Sequence, residues 1–131
     1  MKRKTVKAFS AEITLGMERG YDHIPVKKNE VIIFLQKYQD TLIRRKNIYL
    51  SASVTACEIV LSGQVEPHLK FGFINYPKFL MDHSRLKYEI ETLVKALMKK
   101  FEQNRIVIEY LDETVMFERK KGIDSRIGSF I

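Results

Sequence analysis

The sequence predicts an α+β domain, a two-layer sandwich with two helices on one face of a mostly antiparallel sheet. Three observations carry this. Two long segments repeat apolar residues at helical spacing, and each has a single apolar stripe, so each buries one face only. The runs before, between and after them alternate apolar with polar residues, which is the strand signature. The linkers between those runs are short, which favours antiparallel hairpins.

The first strand is expected over about Val6–Met17, where Phe9, Ala11, Ile13 and Leu15 alternate with polar residues. A polar loop follows, from Gly16 to Pro25. The first helix is expected over Lys27–Lys46, with Val31, Phe34, Leu35, Tyr38 and Leu42 on one stripe and Ile33 on the wet side. Arg44, Arg45 and Lys46 end it, where positive charge suits the helix dipole. Ile48, Leu50, Ala52 and Val54 then alternate as a strand, and Glu58–Val65 reads as another. Glu66-Pro67 marks a turn. Leu69, Phe71 and Phe73 alternate in the next strand and point to the core. The second helix is expected over Asp82–Gln103, with Asp82 as N-cap and a stripe of Leu86, Ile90, Leu93, Val94, Leu97 and Phe101. Lys87/Glu91 and Glu91/Lys95 are spaced for exposed ion pairs. Arg105–Tyr110 and Thr114–Arg119 close the domain as a hairpin around Leu111-Asp112-Glu113.

This order of elements, over residues 6–119, resembles the ferredoxin-like βαββαβ pattern with an extra hairpin. The resemblance implies a fold and no activity, because that superfold hosts many unrelated functions. The nitrogen-regulatory PII-like proteins share the general shape. Their long loop has no counterpart here, so their ligand is not carried over.

The 131 residues suit one domain, and 45% hydrophobic with 30% charged residues is too apolar for a disordered chain. The net charge is +7, which first suggests nucleic acid. Its distribution changes that view. Residues 8–118 hold fifteen bases and fifteen acids, so the excess sits at the two ends. The chain divides into a basic arm over 1–7, a single domain over 8–119 and a loosely held basic tail over 120–131. Lys2, Arg3, Lys4, Lys7, Arg119, Lys120 and Lys121 are the candidate phosphate contacts. The competing reading is a pair of solvated tails. The single Cys, Cys57, excludes a disulfide scaffold and reads as a small buried residue. No apolar run reaches membrane-span length, and the basic start lacks a continuous apolar segment after it. A cytoplasmic protein is expected, with no membrane association.

The loop after the first strand is the candidate site. Arg19, Tyr21 and His23 lie between Gly16, Gly20 and Pro25, just ahead of a helix N-terminus that favours anions. Arg19 would pair an anionic group, Tyr21 would stack or hydrogen-bond, and His23 would donate or sense pH. Glu109 and Glu113, near the last hairpin, are the possible acidic neighbours. The glycine spacing fits neither a P-loop nor a dinucleotide fingerprint, and no cofactor motif is present. His23, His68 and His83 are scattered without a zinc spacing, so no metal is expected. Lys70-Phe-Gly-Phe-Ile-Asn-Tyr76 echoes an RNA-binding signature but lacks its ordered glycines. The open sheet face, with Ser10, Glu12, Thr14, Tyr49, Ser51, Ser53 and Thr55, invites pairing with another copy, so a homodimer or small homo-oligomer is expected.

The reading is a non-catalytic ligand-binding, regulatory or assembly module taking a small anionic ligand. The alternatives are a nucleic-acid accessory protein using the basic ends and an enzyme using the 16–25 loop.

Overall fold

In the computed structural model, which describes residues 1–119, alternation in the first strand has a direct outcome. Strand β1 (Ser10–Gly16) buries Ala11, Ile13 and Leu15 and leaves Glu12 and Thr14 on the other face. Two very short strands follow, β2 (Glu18–Arg19) and β3 (Ile24–Pro25). Then come helix α1 (Lys28–Lys46), strands β4 (Ser53–Leu61) and β5 (Gln64–Ile74), helix α2 (His83–Lys100), and strands β6 (Arg105–Tyr110) and β7 (Thr114–Glu118).

The main sheet has the order β4-β5-β1-β6-β7, and every pairing is antiparallel. β5 lies between β1 and β4, and β1 lies between β5 and β6. This is the split βαβ arrangement of the ferredoxin-like pattern, with β7 added at one edge. Both helices cover one face. Val31, Leu35, Leu42, Leu86, Ile90, Leu93, Val94, Leu97 and Phe101 pack there with Leu69, Phe71, Phe73, Ile106 and Ile108. The α+β two-layer class is therefore as expected, and Ile33 is exposed. No helix of the described residues is long and apolar enough to cross a membrane.

Several boundaries differ from expectation. β1 starts at Ser10, so residues 6–9 precede it. α2 begins after Asp82, whose side chain makes no cap bond. Residues 48–52 alternate but do not join the sheet: Ile48 and Leu50 are buried, while the Gln39 amide donates to the Leu50 carbonyl at 2.9 Å. The hairpin turns at Ser62-Gly63, with Ser62 at φ 54°, and not at Glu66-Pro67. Pro67 sits within β5 opposite Glu58, and its carbonyl accepts from Met17 N at 3.0 Å. Cys57 is half-buried on the sheet opposite His68, not in the core. The expected helix-surface pairs of Glu91 are also replaced. Its carboxylate accepts from the Tyr110 hydroxyl at 2.8 Å, while Lys87 reaches Glu113 at 2.8 Å.

The two basic flanks leave from opposite ends of the sheet. Ser10 lies one residue before Ala11, which pairs with Tyr110 at one end of β6. Arg119 follows Glu118, which pairs with Arg105 at the other end. With six residues in β6, the exits are about 17 Å apart. The arm and Arg119 thus do not form one patch, and Lys120 and Lys121 lie outside the described residues.

Candidate functional site

The 16–25 segment is a small hairpin held to the domain by specific bonds. Its backbone is tied by Met17 N to the Pro67 carbonyl at 3.0 Å, Val26 N to the Met17 carbonyl at 2.8 Å, and Gly20 N to the Glu102 carbonyl at 2.7 Å. Gly20 adopts φ 52°, the left-handed region that suits glycine. Gln103 is the central tether. Its amide nitrogen donates to the Glu18 and Phe101 carbonyls at 3.0 Å each, and its oxygen accepts from Gly16 N at 3.1 Å. A side chain at position 16 would put Cβ only 3.0 Å from that oxygen, which is why glycine fits there.

Arg19 is not placed to receive an anion. Its guanidinium donates to the Lys100 carbonyl at 3.2 Å, meets Glu102 at 3.5 Å and Glu30 at 3.4 Å, and lies over the Phe101 ring. Its charge is spent on fastening the hairpin to both helices. His23 adopts φ 59°, and its Nδ1 is 2.5 Å from a Glu18 carboxylate oxygen. Tyr21, His23 and Glu109 come together around one cavity, whereas Glu113 is bonded to Lys87 away from it.

That cavity has a volume of about 500 Å³ and lies on the uncovered sheet face. Thr14, Gly16, Arg105, Val107 and Glu109 form its floor; Met17, Glu18, Tyr21 and His23 form one wall; Ile59, Glu66 and His68 form the other. Three carboxylates thus converge on it. The sheet register explains the floor. Side chains two apart on a strand share a face, so Thr14, Glu109, Val107 and Arg105 stand on the side opposite the core. His68 opposes both Gly16 and Cys57, and Glu66 opposes Ile59. Further along this face Glu12 stands opposite Glu109 and pairs with Lys70 at 2.8 Å. The Glu12 bond and charge raise the Lys70 pKa.

Glu66, His68 and Gln103 were not among the expected site residues. Pro67 made the first two look like turn residues, and Gln103 looked like a helix end. The signal available for Glu66 and His68 was their even spacing with Lys70, which puts all three on the face opposite Leu69 and Phe71. With Arg105 met by Glu118 at 2.9 Å, the three carboxylates make the cavity better suited to a cation than to an anion. Among the described residues no three His, Cys, Asp or Glu side chains are grouped to hold a metal ion.

No family model and no curated protein sequence matches the chain. Two solved structures do match its fold. One is a phage SAM lyase in complex with S-methyl-5'-thioadenosine, 19% identical, with a TM-score of 0.66. The other is a phage SAM lyase in its apo state, 20% identical, with a TM-score of 0.70. Each likeness covers 92% of this chain and 97% of the other. The expectation of a non-catalytic module is corrected by this finding. The two matched structures are of a lyase, and they agree better with the enzyme alternative than with a non-catalytic module.

Proposed function

We propose that the chain is an enzyme that cleaves S-adenosylmethionine and releases S-methyl-5'-thioadenosine. The observation that carries this reading is the acidic cavity on the open sheet face, in a fold matched to a SAM lyase. The substrate is a sulfonium cation with an ammonium group and a carboxylate; Glu18, Glu66 and Glu109 line the cavity, while Arg105 on its floor is met by Glu118 at 2.9 Å. Tyr21, Met17 and Ile59 offer apolar surface to the purine. The substrate's own carboxylate oxygen bonds to the γ-carbon as the carbon–sulfur pair returns to sulfur, so the sulfonium leaves as the neutral thioether and the amino-acid chain closes as a lactone that keeps its ammonium group. No acid is needed at sulfur. The protein's work is to hold the cation, orient its chain and keep water from the reacting carbon.

The test is incubation of the full chain with S-adenosylmethionine, followed by chromatography for S-methyl-5'-thioadenosine. Glu66→Gln and Glu109→Gln should each lower turnover about 100-fold while the far-ultraviolet dichroism is unchanged. No product from the folded wild-type chain, or full activity in both variants, refutes the reading.

The same proposal includes self-association in the cytoplasm. Among the described residues the β4–β5 hairpin has no neighbouring strand beyond Cys57 and His68, and Ile59, Val60, Leu61 and Val65 are exposed on it. A two-stranded arm of this kind is marginal alone in water. A second copy covering it would also wall the cavity, because Ile59 lines both. Sedimentation should therefore give more than one copy per particle, and Val60→Lys with Leu61→Lys should shift it to the monomer.

A further inference from the structure

A second cavity, of about 460 Å³, lies at the other end of the sheet and shares no residue with the first. Tyr49, Tyr76 and Phe79 line it. Tyr49 and Phe79 are stacked, with ring centroids 4.5 Å apart and planes 17° apart, and Tyr76 leans on Phe79 at 6.0 Å. These rings are 39%, 48% and 37% exposed for Tyr49, Tyr76 and Phe79, so a substantial part of each faces water. Exposed aromatic clusters beside a cleft mark contact surfaces.

The charge around them is positive. The arm over residues 1–7 carries four cations and no acid. Lys4 Nζ donates to the Pro77 carbonyl at 3.0 Å, which fixes the arm against the 3-10 turn (Pro77–Phe79) that bears Phe79. Lys78 lies over the Phe79 ring at 5.6 Å. Glu12 also lines this cavity, but its charge is met by Lys70. Lys7 and Asp82 line a hollow that adjoins this cavity and shares Asn75 and Met81 with it.

We propose that the Tyr49–Tyr76–Phe79 cluster and the basic arm form a binding surface for single-stranded nucleic acid. Every base has a π-face, so exposed rings stack on bases without regard to sequence, while neighbouring cations track the phosphates. A duplex hides its base faces and does not suit this surface. The surface uses only the N-terminal arm, since Arg119 leaves the sheet from the opposite end. It is independent of the cleavage site.

The test is fluorescence anisotropy of a labelled oligothymidylate of about twelve nucleotides, titrated with the full chain at several salt concentrations. Five cations (Lys2, Arg3, Lys4, Lys7 and Lys78) predict a slope of about −3.5 for log affinity against log salt. Alanine at 2, 3, 4 and 7 should bring that slope to about −1. Tyr49→Ala or Phe79→Ala should weaken binding about tenfold at fixed salt, whereas Tyr49→Phe and Phe79→Tyr should keep it. Phe79→Leu retains apolar bulk without a ring, and loss of affinity there with unchanged dichroism separates stacking from misfolding. The proposal is overturned if the folded chain does not bind, if ring removal leaves affinity unchanged, or if duplex or an oligoglutamate of equal charge competes as well as the single strand.

Discussion

Glu12 and Glu109 stand directly opposite each other on neighbouring strands of the open sheet face, and Lys70 pairs only with the first of them. Like charges in such positions repel. Lys70 therefore relieves a strain that the sheet register imposes. Lys70→Met should destabilise the protein by up to ~1 kcal/mol, since the pair is partly exposed and screened by solvent. The Lys70 pKa is raised first by its hydrogen bond to Glu12 and then by that carboxylate's charge. A raised cation pKa gives stability that is complete below the ordinary lysine value and is lost as pH rises through the raised one. Urea titrations should show the difference between wild type and variant holding at neutral pH and shrinking above about pH 10.5.

Tyr110 is the second pH-sensitive group. Burial and then its hydrogen bond to Glu91 hold its pKa well above the usual phenol value. The folded state keeps this proton while the unfolded chain gives it up, so stability falls as pH rises above about 10. Tyr110→Phe should cost about 1 kcal/mol at neutral pH and flatten that alkaline decline. Tyr38 is raised as well, chiefly by burial. Absorbance at the tyrosinate band should show these two of the six tyrosines ionising last, and only with unfolding.

Glu89 poses an asymmetric case. It is fully buried on α2, Lys46 reaches its Oε1 at 3.0 Å and Arg85 at 3.4 Å, and its Oε2 has no hydrogen-bond partner among the described residues. Both cations are about half exposed to water. Removing the carboxylate leaves two solvated cations; removing Lys46 leaves a buried anion less well met. Lys46→Met should thus destabilise by about 2 kcal/mol, and Glu89→Leu by much less, or it should stabilise. Equal losses for the two variants in urea denaturation would refute this account.

Gln103 makes three hydrogen bonds that join the 16–25 hairpin to the sheet and helix end. Gln103→Leu leaves Gly16 N and two carbonyls without it, at about 1–3 kcal/mol. Limited proteolysis should then cut within residues 17–25, where the wild-type chain resists. Gly16→Ala should show the same cleavage more weakly, because its Cβ presses on the same oxygen.

The fold was readable because β1, β5 and both helices follow strict periodicities, and each buries the face that its spacing implies. Residues 48–52 misled because their backbone bonding is met in part by Gln39 and not by a strand, a substitution that alternation does not register. Pro67 misled because proline usually ends a strand, although here it sits within β5 opposite Glu58 and its carbonyl accepts from Met17 N. Half of the cavity was legible, since loops that follow a strand tend to carry sites. Glu66, His68 and Gln103 were hidden because their convergence depends on how β5 lies beside β1, a long-range pairing. Arg19 was the converse case: its residue type suits an anion, but its partners in α1 and after α2 occupy it.

The exits of β1 and β7 at opposite ends of the sheet also make this domain a molecular ruler. Fluorophores at Lys7 and Arg119 would sit apart by at least the length of β6, and their energy transfer would report whether the sheet is intact. The same geometry prescribes how copies are joined genetically. A linker from residue 119 back to residue 10 must span about 17 Å, or about five extended residues, so a circular permutant with a shorter linker will not close.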